Sequence, residues 1–189
     1  KYHNFGGVIG WNLQKYFPNL SSDSYLKLQR STRNKLQQEY IDYFLSTDEP
    51  PMPLVVNLET INRCNSTCSF CTANKNAEKR PYRRMEDSLF YSIIDQLADW
   101  GYTGHLTLYG NNEPFLDTRI VEFHKYCREK LPHSFIFLSS NGLLLTVDKV
   151  KEIIPYVNQL IINNYCRDMK LHDNVKEIYE YAKSHPEEF

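Results

Sequence analysis

The stretch Asn57-Leu58-Glu59-Thr60-Ile61-Asn62-Arg63-Cys64-Asn65-Ser66-Thr67-Cys68-Ser69-Phe70-Cys71 decides how the rest of the chain is read. It holds three of the five cysteines, Cys64, Cys68 and Cys71, separated by three and then two residues. Three thiolates on one short loop can bind three corners of a four-iron cluster, which leaves one iron without a protein ligand. A helical stripe at i, i+4 and i+7 has the same spacing, and free cysteine packs as a small hydrophobe. Asn65, Ser66 and Thr67 favour turns over helix, however, and the preceding Leu54-Val55-Val56 reads as a strand, so a loop is the expected form. A zinc site of three cysteines plus a histidine or carboxylate is the stronger rival, although no second ligand pair is evident.

Outward from this loop, the composition narrows the class. A chain of 189 residues is long enough for one domain with an appendage and a real core. Lys and Arg total 22 against 23 Asp and Glu, which provides no electrostatic case for binding nucleic acid or an anionic membrane. No apolar run approaches the ~20 residues needed to span a bilayer. An odd number of cysteines, with three inside eight residues, argues against a secreted disulfide framework. A soluble, cytoplasmic protein is expected. Cys127 reads as core, and Cys166 as a thiol just past a strand end.

The periodicity changes along the chain. Residues 1–20 show no sustained period, and Tyr25, Leu28, Thr32, Leu36, Tyr40 and Tyr43 then mark an amphipathic helix from Ser22 to Ser46. Asp48-Glu49-Pro50-Pro51-Met52-Pro53 forces an extended linker, so residues 1–49 are expected as a helical extension and 50–189 as the main domain. Strands and helices then alternate: a strand over 54–60, a helix from Glu86 with Leu89, Ile93, Leu97 and Trp100 on one face and Gly101 as its stop, and a strand over 103–109. A helix from Asp117 to Leu131 turns Ile120, Phe123, Cys127 and Leu131 inward. A strand at 135–139, a short helix at 147–154, a strand at 159–163 and a last helix marked by Val175, Ile178, Tyr179 and Ala182 complete the series.

Four strand–helix units in succession imply a parallel sheet with right-handed crossovers, and ligand sites in such sheets lie at the C-terminal strand ends. The cysteine loop follows the first of those ends. After the second comes Gly110-Asn111-Asn112-Glu113, whose carbonyls and carboxylate would accept from an ammonium. Ser139-Ser140-Asn141-Gly142 follows the third, and Asn163 closes the fourth. Each segment taken alone is an ordinary turn. The basic run Lys75, Lys79, Arg80, Arg83 and Arg84 reads as a solvated loop.

Cys-x-x-x-Cys-x-aromatic-Cys after a strand resembles the cluster loop of radical S-adenosylmethionine (radical SAM) enzymes, and the resemblance runs from about Leu54 to Tyr165. It implies an α/β fold, a partial parallel (β/α) barrel of which four of six expected units are visible, carrying a [4Fe–4S] cluster on Cys64, Cys68 and Cys71. It implies S-adenosyl-L-methionine on the open iron, reductive cleavage to a 5′-deoxyadenosyl radical, and hydrogen abstraction from a substrate. The Gly110, Asn111, Asn112, Glu113 segment is similar to the family's Gly-Gly-Glu, with Asn111 in place of the second glycine, and implies a contact to the cofactor's amino group. Ser139 and Asn141 match the position that reaches its carboxylate or ribose, Asn163 the ribose, and Phe70 the adenine. The resemblance further implies a small-molecule or peptide substrate and an electron donor such as flavodoxin or ferredoxin. The local wording is similar to members with a C-terminal SPASM-type cluster-binding extension that modify peptides or other natural-product precursors. With four units and Lys1 at its start, the chain is expected to be part of a longer protein. A zinc- or iron–sulfur-binding module without catalysis, serving structure, electron transfer or sensing, is the alternative.

Overall fold

The computed structural model describes residues 22–47, 51–71, 80–165 and 170–188. Cys166, Lys75, Lys79 and the aromatic N-terminal stretch lie outside the described residues. The long first helix, α1, spans Ser22–Thr47. The elements that follow are β1 (Val55–Asn57), α2 (Asp87–Asp99), β2 (His105–Thr107), α3 (Ile120–Lys130), β3 (Phe135–Ser140), α4 (Val147–Ile153), β4 (Gln159–Ile162) and α5 (Asp173–Ser184). The strands form one parallel sheet in the order β1-β2-β3-β4. A parallel pair cannot be closed by a hairpin, so a helix bridges each step and covers the sheet.

Alternation along the strands assigns the two faces. Leu106, Leu108, Ile136 and Leu138 are fully buried and turn toward the helices, where Phe90, Ile94, Phe123, Cys127 and Ile153 meet them. Registered on the opposite face are Val55 with His105, Asn57 with Thr107, and Phe137 with Gln159. Thr107 Oγ1 donates to Asn57 Oδ1 at 2.6 Å, so that face carries polar pairs between its apolar residues.

Three expectations shift. The core face of α2 is Phe90, Ile94 and Leu97, whereas Leu89 is 52% and Trp100 44% exposed. Apolar residues occupy two adjacent stripes of this helix, and the one that wins stacks Phe90 on Phe123 at a centroid distance of 3.8 Å. On α5, Ile178 is buried but Tyr179 is 56% exposed. The strands are also shorter than their apolar runs. Leu58 N–H still reaches Thr107 O at 2.9 Å, but Thr60 O then accepts from Met85 N–H and Ile61 bridges antiparallel to Arg84. The chain leaves the parallel ladder there to close the neck of the cysteine loop. Gly101 ends α2 at φ +69°, as its position predicts.

Candidate active site

The neck of the cysteine loop is held by side chains as much as by backbone. The Asn62 amide donates to Pro81 O (2.9 Å) and accepts from Arg83 N–H (2.8 Å), standing in for a peptide group of a missing strand. The Arg63 guanidinium donates to Arg80 O at 2.6 Å, and the Arg63 carbonyl accepts from Glu113 N–H at 2.9 Å. Beyond this neck, Cys71 N–H bonds to Cys68 O at 3.1 Å, a turn that brings the second and third thiols to one side.

All three thiols line one pocket, together with Phe70, Gly110, Asn111, Asn112, Glu113, Ser139, Asn141 and Asn163. Every residue singled out from the four strand ends is therefore brought to one place. Four further residues line it that the sequence reading did not select: Ser66, Tyr109, Ser140 and Tyr165. Tyr109 follows the period-2 phase of His105 and Thr107 and was open to that inference. Tyr165 lies edge-on to Phe70 at 5.1 Å, a pairing across the pocket mouth that no local pattern announces.

The rim is knitted by its own polar groups. Glu113, 2% exposed, accepts from Ser140 Oγ (2.8 Å) and Phe115 N–H (3.2 Å) on one carboxylate oxygen and from Asn141 N–H (2.8 Å) on the other. An ionised carboxylate has about four acceptor sites, so these bonds leave capacity for another donor. The Asn141 side chain donates to Asn65 Oδ1 at 2.7 Å and Ser66 Oγ at 3.1 Å, and lies 3.9 Å from Cys64 Sγ. Asn163 donates to Ser139 Oγ at 2.7 Å. The end of β3 thus touches the end of β4, and the loop after it touches the cysteine loop.

The donor set fits an iron–sulfur cluster. Burial raises the Cys68 thiol above its ordinary range, and the nearby Cys64 and Cys71 raise it further. A cationic metal core beside that thiol would favour its thiolate form. Among the described residues no three His, Cys, Asp or Glu side chains converge as ligands of a single ion. A cubane makes no such demand, because each thiolate binds an iron of its own. The Asn141 amide beside Cys64 Sγ is the kind of N–H donor that tunes a cluster's potential.

A parallel sheet with a three-cysteine loop and polar rims at its C-terminal edge defines a cluster- and cofactor-binding α/β protein. The radical SAM superfamily profile matches residues 58–184, and the chain belongs to that superfamily, whose members use a [4Fe–4S] cluster and S-adenosylmethionine. Over 99 residues it is 22% identical to an S-adenosyl-L-methionine-dependent 2-deoxy-scyllo-inosamine dehydrogenase of Niallia circulans, covering 52% of this chain and 39% of that protein. The crystal structure of BtrN in complex with AdoMet and 2-DOIA superposes with a TM-score of 0.59 at 17% identity, over 68% of this chain and 51% of that one. Selenomethionine BtrN in an open conformation gives 0.55 at 19% identity, over 64% and 54%. These structures share the fold. The chain spans about two fifths of the length of the curated relative and about half that of the solved ones. Among the described residues no helix is long and apolar enough to cross a membrane.

Proposed function

We propose that this chain carries the radical-generating site of a radical SAM enzyme acting by hydrogen-atom abstraction. One observation carries the reading: Cys64, Cys68 and Cys71 share a single pocket with the polar ends of three further parallel strands. In this reading the three thiolates hold the [4Fe–4S] cluster, and the open iron leaves room for S-adenosylmethionine. When bound and reduced, the pair supplies a 5′-deoxyadenosyl radical. The chain's own residues bind and orient. Gly110, Asn111, Asn112 and Glu113 offer acceptors to the ammonium group, Ser139, Asn141 and Asn163 reach the carboxylate and ribose, and Phe70 packs on the adenine. The protein's contribution is positioning, control of potential and exclusion of water.

A small-molecule substrate is supported by the relative's name, which describes a dehydrogenase of 2-deoxy-scyllo-inosamine. The peptide alternative rests on the wording of Asn62-Arg63-Cys64-Asn65 and of Gly110 to Asp117. A one-electron donor such as flavodoxin or ferredoxin would supply the reducing equivalent, in a reducing compartment such as the cytoplasm. Anaerobic reconstitution with iron and sulfide tests the reading. About four irons per chain and release of 5′-deoxyadenosine on reduction with S-adenosylmethionine are expected, and Cys64→Ala should abolish both. Tight stoichiometric zinc without cluster uptake, or a cluster that never yields 5′-deoxyadenosine, would overturn it.

A further inference from the structure

Glu59 lies two residues past β1, in phase with Val55 and Asn57, where the chain turns off toward the cysteine loop. The neighbouring Leu58 and Thr60 are buried, whereas Glu59 is only partly covered. Its carboxylate spans to the loop after β2, and Glu59 Oε1 accepts from Asn111 N–H at 2.9 Å. A Cβ placed on Gly110 would lie 3.7 Å from Glu59 Cβ and 3.8 Å from Oε1, so the side chain lies along that turn.

The neighbouring donors of the turn are bound as well. Gly110 N–H is taken by Asn112 Oδ1 at 2.9 Å, and Glu113 N–H by Arg63 O at 2.9 Å. Three backbone donors of a four-residue wall of the pocket are thereby satisfied by protein acceptors, while its carbonyls and the Glu113 carboxylate are acceptors by nature. The Asn112 side-chain amide nitrogen is a buried donor without a partner, but with three of its four backbone donors turned to protein acceptors the backbone of this wall suits a cation better than an anion. Of the three struts, one is internal to the turn and one is backbone, so Glu59 is the side chain by which β1 imposes this arrangement.

We propose that Glu59 is a positioning residue for the ammonium group of the cofactor, acting through the Gly110–Asn112 turn, an inference that rests on the cofactor reading given above. It withdraws the Asn111 N–H from the pocket and adds a negative charge behind the turn. Removing the carboxylate frees that donor, lets the turn rotate, and weakens recognition of the ammonium while leaving contacts to the sulfonium, ribose and adenine.

The test measures equilibrium binding to the anaerobically reconstituted protein of S-adenosylmethionine and of its deaminated analogue, in which hydrogen replaces the ammonium group. Glu59→Ala and Glu59→Asp, the latter too short to reach Asn111, should weaken S-adenosylmethionine about tenfold, the loss of one charge-assisted hydrogen bond. Both should leave the analogue within about twofold of the unmodified protein. Glu59→Gln keeps an acceptor oxygen and should recover most of the loss, to within about threefold. Equal weakening of both ligands would assign Glu59 a purely structural role, and unchanged binding of S-adenosylmethionine would assign it none; either overturns the proposal. Failure of the unmodified protein to bind S-adenosylmethionine would instead overturn the cofactor reading itself. Should Glu59→Ala not fold, the Asp and Gln variants decide the question between them.

Discussion

Glu113→Gln separates two jobs that the same carboxylate could hold. In the structure both oxygens are occupied before any ligand arrives: one accepts from Ser140 Oγ and Phe115 N–H, the other from Asn141 N–H. The three residues that meet there, Glu113, Ser140 and Asn141, are 2%, 2% and 8% exposed, so water replaces a lost partner poorly. Glutamine has nearly the same shape but carries one acceptor and one donor. With its NH2 on the Asn141 side, two donors face each other; with the amide reversed, the NH2 faces Phe115 N–H. Either orientation leaves a buried backbone donor unpaired and removes a bond to a charged acceptor, at a cost of about 3 kcal/mol. For a chain of this size that corresponds to about 6–12 °C in Tm. Urea and thermal unfolding of the iron-free, reduced protein should show this loss with no cofactor present. An unchanged midpoint, with weaker S-adenosylmethionine binding, would refute the claim that Glu113 ties β3 to the loop after β2.

Two further outcomes follow from burial. Gly142→Ala should cost about 2–5 kcal/mol in the same unfolding assay, because φ is +78° and the new Cβ would lie 2.7 Å from Ile162 Cγ2 and 2.8 Å from Val175 Cγ2; a loss below about 1 kcal/mol would contradict that packing. Burial holds His105 and His124 down from 6.5 to about 4, so the unfolded chain binds more protons than the folded one between those values. Stability is then complete above pH 6.5 and falls as the pH drops toward 4, by about 2 kcal/mol per histidine at pH 5. Equal urea midpoints at pH 7.5 and pH 5 would refute it.

The cysteine loop was legible because its chemistry is local: three thiols within eight residues leave few alternatives once a strand precedes them. The alternation of strand and helix was legible for a similar reason, since each crossover helix carries its own apolar face. The face of α2 was not. Leu89, Phe90, Ile93 and Ile94 are apolar on neighbouring stripes, and contact with Phe123 on another helix made the choice. Strand ends were overrun because an apolar run does not record where its neighbour stops bonding to it. At Thr60 the chain changes partner from β2 to Met85.

By itself the sequence determined the donor types and their order along the chain: thiols after β1, acceptors after β2, hydroxyl and amide after β3, amide after β4. Only the tertiary structure decided which of these groups are already committed to one another. Glu113 meets Ser140 across 27 residues, Glu59 meets Asn111 across 52, and Asn141 reaches Cys64 across 77. Periodicity reports which face of its own element a residue occupies. It carries no information about a hydrogen bond formed between the ends of separate strands, because that bond depends on how the parallel sheet brings those ends to one edge.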